Sequence, residues 1–121
     1  MSRCILVVED QMDNRQILRD LLASVGYEMI EAYDGEGALR AARDQSPDLI
    51  LMDIQLPILD GYEATRRIKA QSDLRHIPIV AVTSYALSGD EEKARAAGCD
   101  AYVAKPYSAR KLLETINRYL T

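Results

Sequence analysis

The chain has 121 residues, 48% hydrophobic and 28% charged, a balance typical of one globular domain and not of a disordered or fibrous chain. Its 15 basic and 19 acidic residues give a formal net charge of −4, so DNA or RNA would meet net repulsion and nucleic-acid binding is not expected. No apolar run approaches the ~20 residues of a membrane span, and Glu9 and Asp10 directly follow the N-terminal apolar stretch, so we expect neither membrane insertion nor a signal peptide.

Five short apolar segments, most of them rich in β-branched residues and bounded by Gly, Pro or Asp, predict β-strands. They are residues 4–8 (CILVV), 27–32 (YEMIEA), 48–52 (DLILM), 77–82 (IPIVAV) and 101–104 (AYVA). The first and third are the most continuously apolar, as expected of strands covered on both faces, whereas the second alternates and suits a sheet edge.

The first helix is predicted between the first two strands. Its apolar residues recur at helical spacing, namely Ile17, Leu18, Leu21, Leu22 and Val25. Asp13 and Gln16 are spaced as a capping box at its start, and Gly26 is placed to end it.

Four further helices follow from the same signals. They are a helix through residues 38–42 that ends by Pro47, residues 62–71 after the Asp60-Gly61 turn, residues 88–98 from a Ser88 and Glu91 capping box to Gly98, and residues 108–120. The fourth is the weakest, because only alanines supply its apolar face.

The regular alternation of strand and helix predicts an α/β fold, since parallel neighbouring strands need right-handed crossover connections. We expect a doubly wound parallel sheet of five strands with five helices and the strand order 2-1-3-4-5. All of residues 1–121 are expected to form this one domain, with no output domain. Ligands of such sheets bind beyond the carboxyl ends of the strands at the switch point, here between strands one and three.

Polar residues follow the predicted strands at this edge. They are Glu9-Asp10 after strand one, Asp53 after strand three, Thr83-Ser84 after strand four and Lys105-Pro106 after strand five. Singly, each could be a helix cap, a strand terminus or a solvated charge. Together, three carboxylates in one crevice repel one another unless a cation or a proton neutralises them. Oxygen ligands in a partly open shell favour Mg²⁺ together with a phosphoryl group.

The same residues suggest phosphoryl transfer. A carboxylate beside Mg²⁺ can act as a nucleophile and form an aspartyl-phosphate, while a lysine and a hydroxyl on neighbouring strands bind the other phosphoryl oxygens. Asp53, Lys105 and Thr83 fit these three roles.

At this point the chain closely resembles the receiver domains of two-component response regulators. The matching motifs are the pair Glu9-Asp10, the segment LILMDIQLPILDG around Asp53, the segment PIVAVTS with Thr83, and the dipeptide Lys105-Pro106. They stand in family order across essentially the whole chain. The resemblance implies a flavodoxin-like fold and a single-domain regulator that accepts a phosphoryl group on Asp53 from a sensor histidine kinase or a histidine phosphotransferase.

The resemblance also implies how such a regulator works. It signals by phosphorylation-dependent binding to a downstream protein, and we expect a cytoplasmic monomer. It is not expected to be an enzyme, although it assists its own phosphorylation and slow dephosphorylation.

Residue roles follow from the family pattern. The implied Mg²⁺ ligands are the carboxylates of Glu9, Asp10 and Asp53 and the backbone carbonyl of Gln55. Thr83 and Lys105 would contact the phosphoryl group, and Tyr102 matches the switch aromatic on strand five. Gln55, Ser84 and Tyr85 would lie at the rim of the pocket, and a cis peptide bond would precede Pro106.

Three other functions are compatible with parts of the pattern. A phosphatase of the haloacid-dehalogenase type uses a similar set, but its second Asp would stand at Gln55, where an amide cannot exchange a proton as a carboxyl does. A flavodoxin-like electron carrier lacks support because no Ser/Thr/Gly-rich phosphate cradle follows strand one. A receiver-like module that binds partners without phosphorylation remains the third alternative.

Overall fold

Five strands alternate with five helices along the part of the chain that the structure describes, residues 3–56, 59–83 and 90–120 of a computed structural model. The elements are β1 (Cys4–Val8), α1 (Met12–Ser24), β2 (Glu28–Ala32), α2 (Gly35–Gln45), β3 (Leu49–Asp53), α3 (Gly61–Lys69), β4 (Ile79–Thr83), α4 (Asp90–Ala97), β5 (Ala101–Ala104) and α5 (Ala109–Leu120). None of the described helices combines the length and the apolar character that a bilayer span requires.

The strands form one parallel sheet with the order β2-β1-β3-β4-β5. This confirms the predicted doubly wound α/β architecture. Every residue of β3 and β4 is buried, whereas β2 lies at the edge and only its last residue is fully buried. The reversal of strand order between β1 and β3 therefore creates the switch point where the sequence placed it.

The core consists of two apolar layers, because successive strand residues point to opposite faces of the sheet. Leu6 and Ile50 belong to the layer that α2, α3 and α4 cover. Their neighbours Ile5 and Leu51 belong to the layer that α1 and α5 cover. The two layers bury the central strands on both sides and so fix where the strand ends lie.

Several predicted helix ends are confirmed. The Asp60 side chain accepts a hydrogen bond from the Glu63 backbone N–H at 2.9 Å and caps α3. Gly26, at φ +85°, ends α1. Its N–H donates to the Ala23 carbonyl and the next N–H donates to the Leu22 carbonyl, which is the Schellman arrangement. Ser88, the predicted cap of α4, lies outside the described residues.

The start and the inner face of α1 differ from the prediction. The N-cap is Gln11, without a side-chain cap, and Asp13 lies inside the first turn. The helix starts directly after the strand-end acids, so Asp13 sits where the helix dipole favours a carboxylate rather than at the cap. Ile17 and Val25 are 63% and 49% exposed, because only the stripe through Leu18 and Leu22 faces the sheet.

Strand limits also shift by one or two residues. β4 begins after Pro78, whose missing N–H cannot join the ladder. β3 extends to Asp53, so the acid belongs to the strand itself and its backbone is held by the sheet.

Gly61 gives the first testable prediction. A Cβ at this position would overlap the Asp53 carbonyl oxygen and lie 2.7 Å from the Ile54 Cα. Both atoms belong to the backbone, so neither can move aside. Gly61→Ala should lower the free energy of unfolding in urea by about 1–3 kcal/mol, as overpacking does.

Gly37→Ala in α2 is the matched control. There the nearest atom to an added Cβ is a side-chain oxygen of Asp34, at 3.3 Å, and Ala gains about 1 kcal/mol of helix propensity over Gly. The change in the free energy of unfolding should therefore be clearly smaller for Gly37→Ala than for Gly61→Ala. Equal stability of Gly61→Ala and the unchanged protein would contradict the close contact.

Candidate functional site

Three charged side chains meet beyond the carboxyl ends of β1, β3 and β5. On β1, β3 and β5, every second residue faces the layer under α1 and α5. Glu9, Asp53 and Lys105 each stand two residues after the last apolar residue of this set on their own strand, so their side chains point to the same side of the sheet. The Lys105 Nζ lies 3.4 Å from a Glu9 carboxylate oxygen and 3.6 Å from an Asp53 carboxylate oxygen. Glu9 and Asp53 are 3% and 5% exposed, so the contacts lie in a largely water-excluded crevice.

Asp10 completes a cluster of three acids. One carboxylate oxygen from each of Glu9, Asp10 and Asp53 lies within 4.8 Å of the others, with Asp10 exposed. Two ligands of one Mg²⁺ at ~2.1 Å each are at most ~4.2 Å apart. A small contraction, or a water that stays on the ion, would therefore let this cluster hold Mg²⁺.

The charge balance of the cluster also favours a divalent cation. Burial by itself lowers the pKa of Lys105, but attraction to Asp53 and Glu9 outweighs it, and the net shift raises the pKa. The ammonium therefore stays protonated at neutral pH. One positive charge faces three carboxylates, which leaves an excess of two negative charges when all three are ionised.

Glu9 is held from α1 and from β2. Its carboxylate accepts hydrogen bonds from the Gln11 N–H at 3.1 Å and the Asn14 side-chain amide at 3.4 Å. Its carbonyl oxygen accepts a bond from the Arg15 guanidinium at 2.9 Å, and its N–H donates to the Ala32 carbonyl at 3.0 Å. None of these three contacts was predicted from the sequence, since polar residues at the start of a helix carry no pattern that shows which of them turn back toward the preceding strand.

Asp53 is oriented by its own loop. One carboxylate oxygen accepts a hydrogen bond from the Gln55 N–H at 2.9 Å, and the other faces Lys105. Gly61 packs directly behind it and donates its N–H to the Ile54 carbonyl at 3.1 Å. The small residue at the start of α3 allows the loop to fold closely under Asp53. The Asp60-Gly61 turn in the sequence signalled this helix start but not the contact.

Thr83 ends β4 and is 1% exposed. Its hydroxyl oxygen accepts a hydrogen bond from the Gln55 side-chain amide at 2.9 Å. Its carbonyl accepts a bond from the Lys105 N–H at 2.7 Å. Gln55, predicted at the rim, therefore joins the Asp53 loop to β4 through its side chain. The other predicted rim residues, Ser84 and Tyr85, lie outside the described residues.

Tyr102 lies on the opposite face of the sheet from the acids. It pairs in register with Ala81, two residues before Thr83, and packs half-buried against the layer under α2, α3 and α4. It is thus near Thr83 but not part of the charged cluster. The Lys105-Pro106 peptide is cis, as the resemblance implied.

Known proteins are similar to this chain in both sequence and fold. The family model for the response regulator receiver domain matches residues 5–117. The polar-differentiation response regulator DivK of Brucella ovis is 48% identical over 120 residues, which cover 99% of this chain and 98% of that protein.

Solved structures agree. The receiver domain of the sensor histidine kinase PA1611 from Pseudomonas aeruginosa, crystallised with a magnesium ion in its active site cleft, has a TM-score of 0.92 and 42% identity, with 99% and 98% of the two chains covered. The chemotaxis response regulator CheY4 of Vibrio cholerae has a TM-score of 0.92 and 28% identity, covering 98% of this chain and 99% of that one. These similarities favour the receiver interpretation over the phosphatase and electron-carrier alternatives.

The acid cluster predicts a metal dependence that can be measured directly. Asp10→Ala should weaken Mg²⁺ binding by at least about tenfold, since loss of even an indirect metal partner costs that much. Asp10 is exposed, so the fold should tolerate the change. The affinity is measured by titrating Mg²⁺ into ¹⁵N-labelled protein and following amide shifts near β3.

Asp73→Asn is the control, because it removes an equal charge from an exposed position between α3 and β4. This variant should bind Mg²⁺ as the unchanged protein does. Unaltered affinity in Asp10→Ala would exclude Asp10 from the site.

Proposed function

The chain belongs to the response regulator receiver family, and we propose on that basis that Asp53 accepts a phosphoryl group from a phosphohistidine of a sensor histidine kinase or a histidine phosphotransferase. The observation that carries this proposal is the buried Asp53 carboxylate, 3.6 Å from the Lys105 ammonium and within one cluster with Glu9 and Asp10. A nucleophile in that setting is fixed in position before the donor arrives.

In the proposed step, an oxygen of Asp53 forms a bond to phosphorus while the bond from phosphorus to the donor nitrogen breaks. The histidine ring leaves with the electron pair. Mg²⁺, held by Glu9, Asp10, Asp53 and the Gln55 carbonyl, would supply positive charge to the phosphoryl oxygens as they approach the carboxylates. Lys105 already faces Asp53 and binds a second phosphoryl oxygen through its ammonium.

Thr83 would bind a further phosphoryl oxygen through its hydroxyl. Its oxygen accepts a hydrogen bond from Gln55 before phosphorylation, and the side chain would leave this bond as it moves to donate its proton to the new group. Tyr102 lies in the adjacent strand, on the same face of the sheet as Thr83. Its ring moves into the space that Thr83 vacates. Phosphorylation thereby biases a two-state element that includes α4, β5 and α5.

The consequence for signalling is binding rather than turnover. The chain assists transfer to its own Asp53 and the slow loss of the group, and it acts on no other substrate. We propose that the phosphorylated monomer binds a downstream protein through the altered face, in the cytoplasm where kinase and phosphotransferase domains act.

Phosphorylation of Asp53 is tested with phosphoramidate and Mg²⁺. Reduction with borohydride and mass spectrometry should place the modification on Asp53, and removal of Mg²⁺ with EDTA should abolish it. Asp53→Asn removes the nucleophile at nearly constant shape and should abolish the label, whereas Asp73→Asn should retain it. Modification at another residue, or labelling of Asp53→Asn, would refute the assignment.

The switch is tested with beryllofluoride, a mimic of the bound phosphoryl group. Thr83→Ala should reduce the amide and ring shift changes of Tyr102 on addition of the mimic, because the hydroxyl that links the two is lost. Thr83→Ser keeps the hydroxyl and should preserve the shifts. Equal responses of Tyr102 in the Ala and Ser variants would show that Thr83 does not transmit the change.

A further inference from the structure

Arg15 connects the metal-site backbone to the edge of the sheet. Its side chain is 14% exposed, which is low for an arginine near the start of a helix. One guanidinium nitrogen donates to the Glu9 carbonyl oxygen at 2.9 Å. That carbonyl belongs to the peptide that joins Glu9 to Asp10, two of the three carboxylates in the cluster.

Glu31 in β2 and Tyr33, which directly follows the strand, contact the same guanidinium. The Arg15 Nε lies 3.9 Å from a Glu31 carboxylate oxygen, and its central carbon lies 4.1 Å from the centre of the Tyr33 ring. The planar guanidinium can serve a carbonyl, a carboxylate and an aromatic face together, which an ammonium does less well. Glu31 is fixed in turn by Arg19 at 2.9 Å.

We propose that Arg15 is a positioning residue of the magnesium site, which sets the orientation of the Glu9-Asp10 peptide and thereby the direction of both carboxylates. The proposal rests on the proposed function, because it requires the acid cluster to hold Mg²⁺. Arg15 touches neither the phosphoryl group nor the metal. It acts through the one carbonyl that lies between two acids.

The direction of the change in Mg²⁺ affinity distinguishes a positioning role of Arg15 from a simple effect of its charge. A positive group near the cluster repels a cation, so simple removal of the Arg15 charge would strengthen Mg²⁺ binding. Glu31 stays in place when Arg15 is replaced, so it does not cancel this charge effect. Weaker Mg²⁺ binding in Arg15→Gln would therefore have the sign opposite to the charge effect, and it is the result expected from loss of the bond to the Glu9 carbonyl.

The test compares two arginines of the same helix. Arg15→Gln and Arg19→Gln each remove one positive charge and one contact with Glu31. Of the two arginines, only Arg15 contacts the Glu9 carbonyl. Arg15→Gln should weaken Mg²⁺ binding by about tenfold, a typical effect of an indirect metal partner, and Arg19→Gln should not weaken it. Amide shifts on titration with Mg²⁺ give both affinities.

A second readout distinguishes positioning from a general loss of structure. At saturating Mg²⁺, labelling of Asp53 by phosphoramidate should return to near the original rate in Arg15→Gln. Tyr33→Leu removes the stacked ring without changing charge, and Tyr33 is 55% exposed, so this variant tests the proposal even if Arg15→Gln does not fold. It should weaken Mg²⁺ binding in the same direction but by less.

The proposal is overturned if Arg15→Gln binds Mg²⁺ as tightly as the unaltered protein or more tightly. It is overturned equally if both arginine variants lose the same affinity. Where Arg15→Gln does not fold, unchanged Mg²⁺ affinity in Tyr33→Leu would overturn it. If the unaltered protein binds Mg²⁺ while the variants behave in this way, the assignment of Arg15 alone fails. If the unaltered protein binds no Mg²⁺, the proposed function and the role of Arg15 fail together.

Discussion

The repulsion among carboxylates at one edge of a parallel sheet is the constraint on which the rest of this site depends. Parallel strands must end at the same edge, so the acids that follow β1 and β3 meet there. Two of them are buried, and a buried charge without a partner costs several kcal/mol. Lys105 supplies one compensating charge from β5. The remaining excess makes the site receptive to a divalent cation and a charged group that arrives with it.

In the proposed function, the sheet would also separate the phosphoryl site from the residues that respond to it. Glu9, Asp53 and Lys105 continue the side that faces α1 and α5, whereas Thr83 and Tyr102 belong to the side that faces α3 and α4. Gln55 bridges the two sides, since its N–H binds Asp53 and its side-chain amide binds Thr83. A change of charge at Asp53 would therefore reach both faces of the same sheet through Gln55.

Sequence periodicity was sufficient for the strand order and for the convergence of the strand-end residues, because both depend on which residues are apolar and where each strand stops. It was insufficient for contacts between elements. Arg15 lies in a polar stretch typical of a solvent-facing helix, yet its guanidinium reaches back to Glu9. Likewise Ile17 fits the helical period but is exposed, since the sheet covers a narrower stripe of α1 than the period suggests. Such contacts depend on distances that only the packed structure sets.

The bond between Gln55 and Thr83 limits how much of the switch the threonine can drive alone. Phosphorylation would replace this neutral hydrogen bond, typically worth about 1 kcal/mol, with one to a charged oxygen, worth about 2 kcal/mol. A net gain of about 1 kcal/mol changes a two-state ratio only about fivefold, whereas reversing a ratio of about 1:99 takes roughly 5.5 kcal/mol. In the proposed switch, the exchange at Thr83 would therefore direct the conformational change without supplying most of its free energy. The larger share would come from the charged contacts around Asp53 and from the repacking of Tyr102 against the layer under α4.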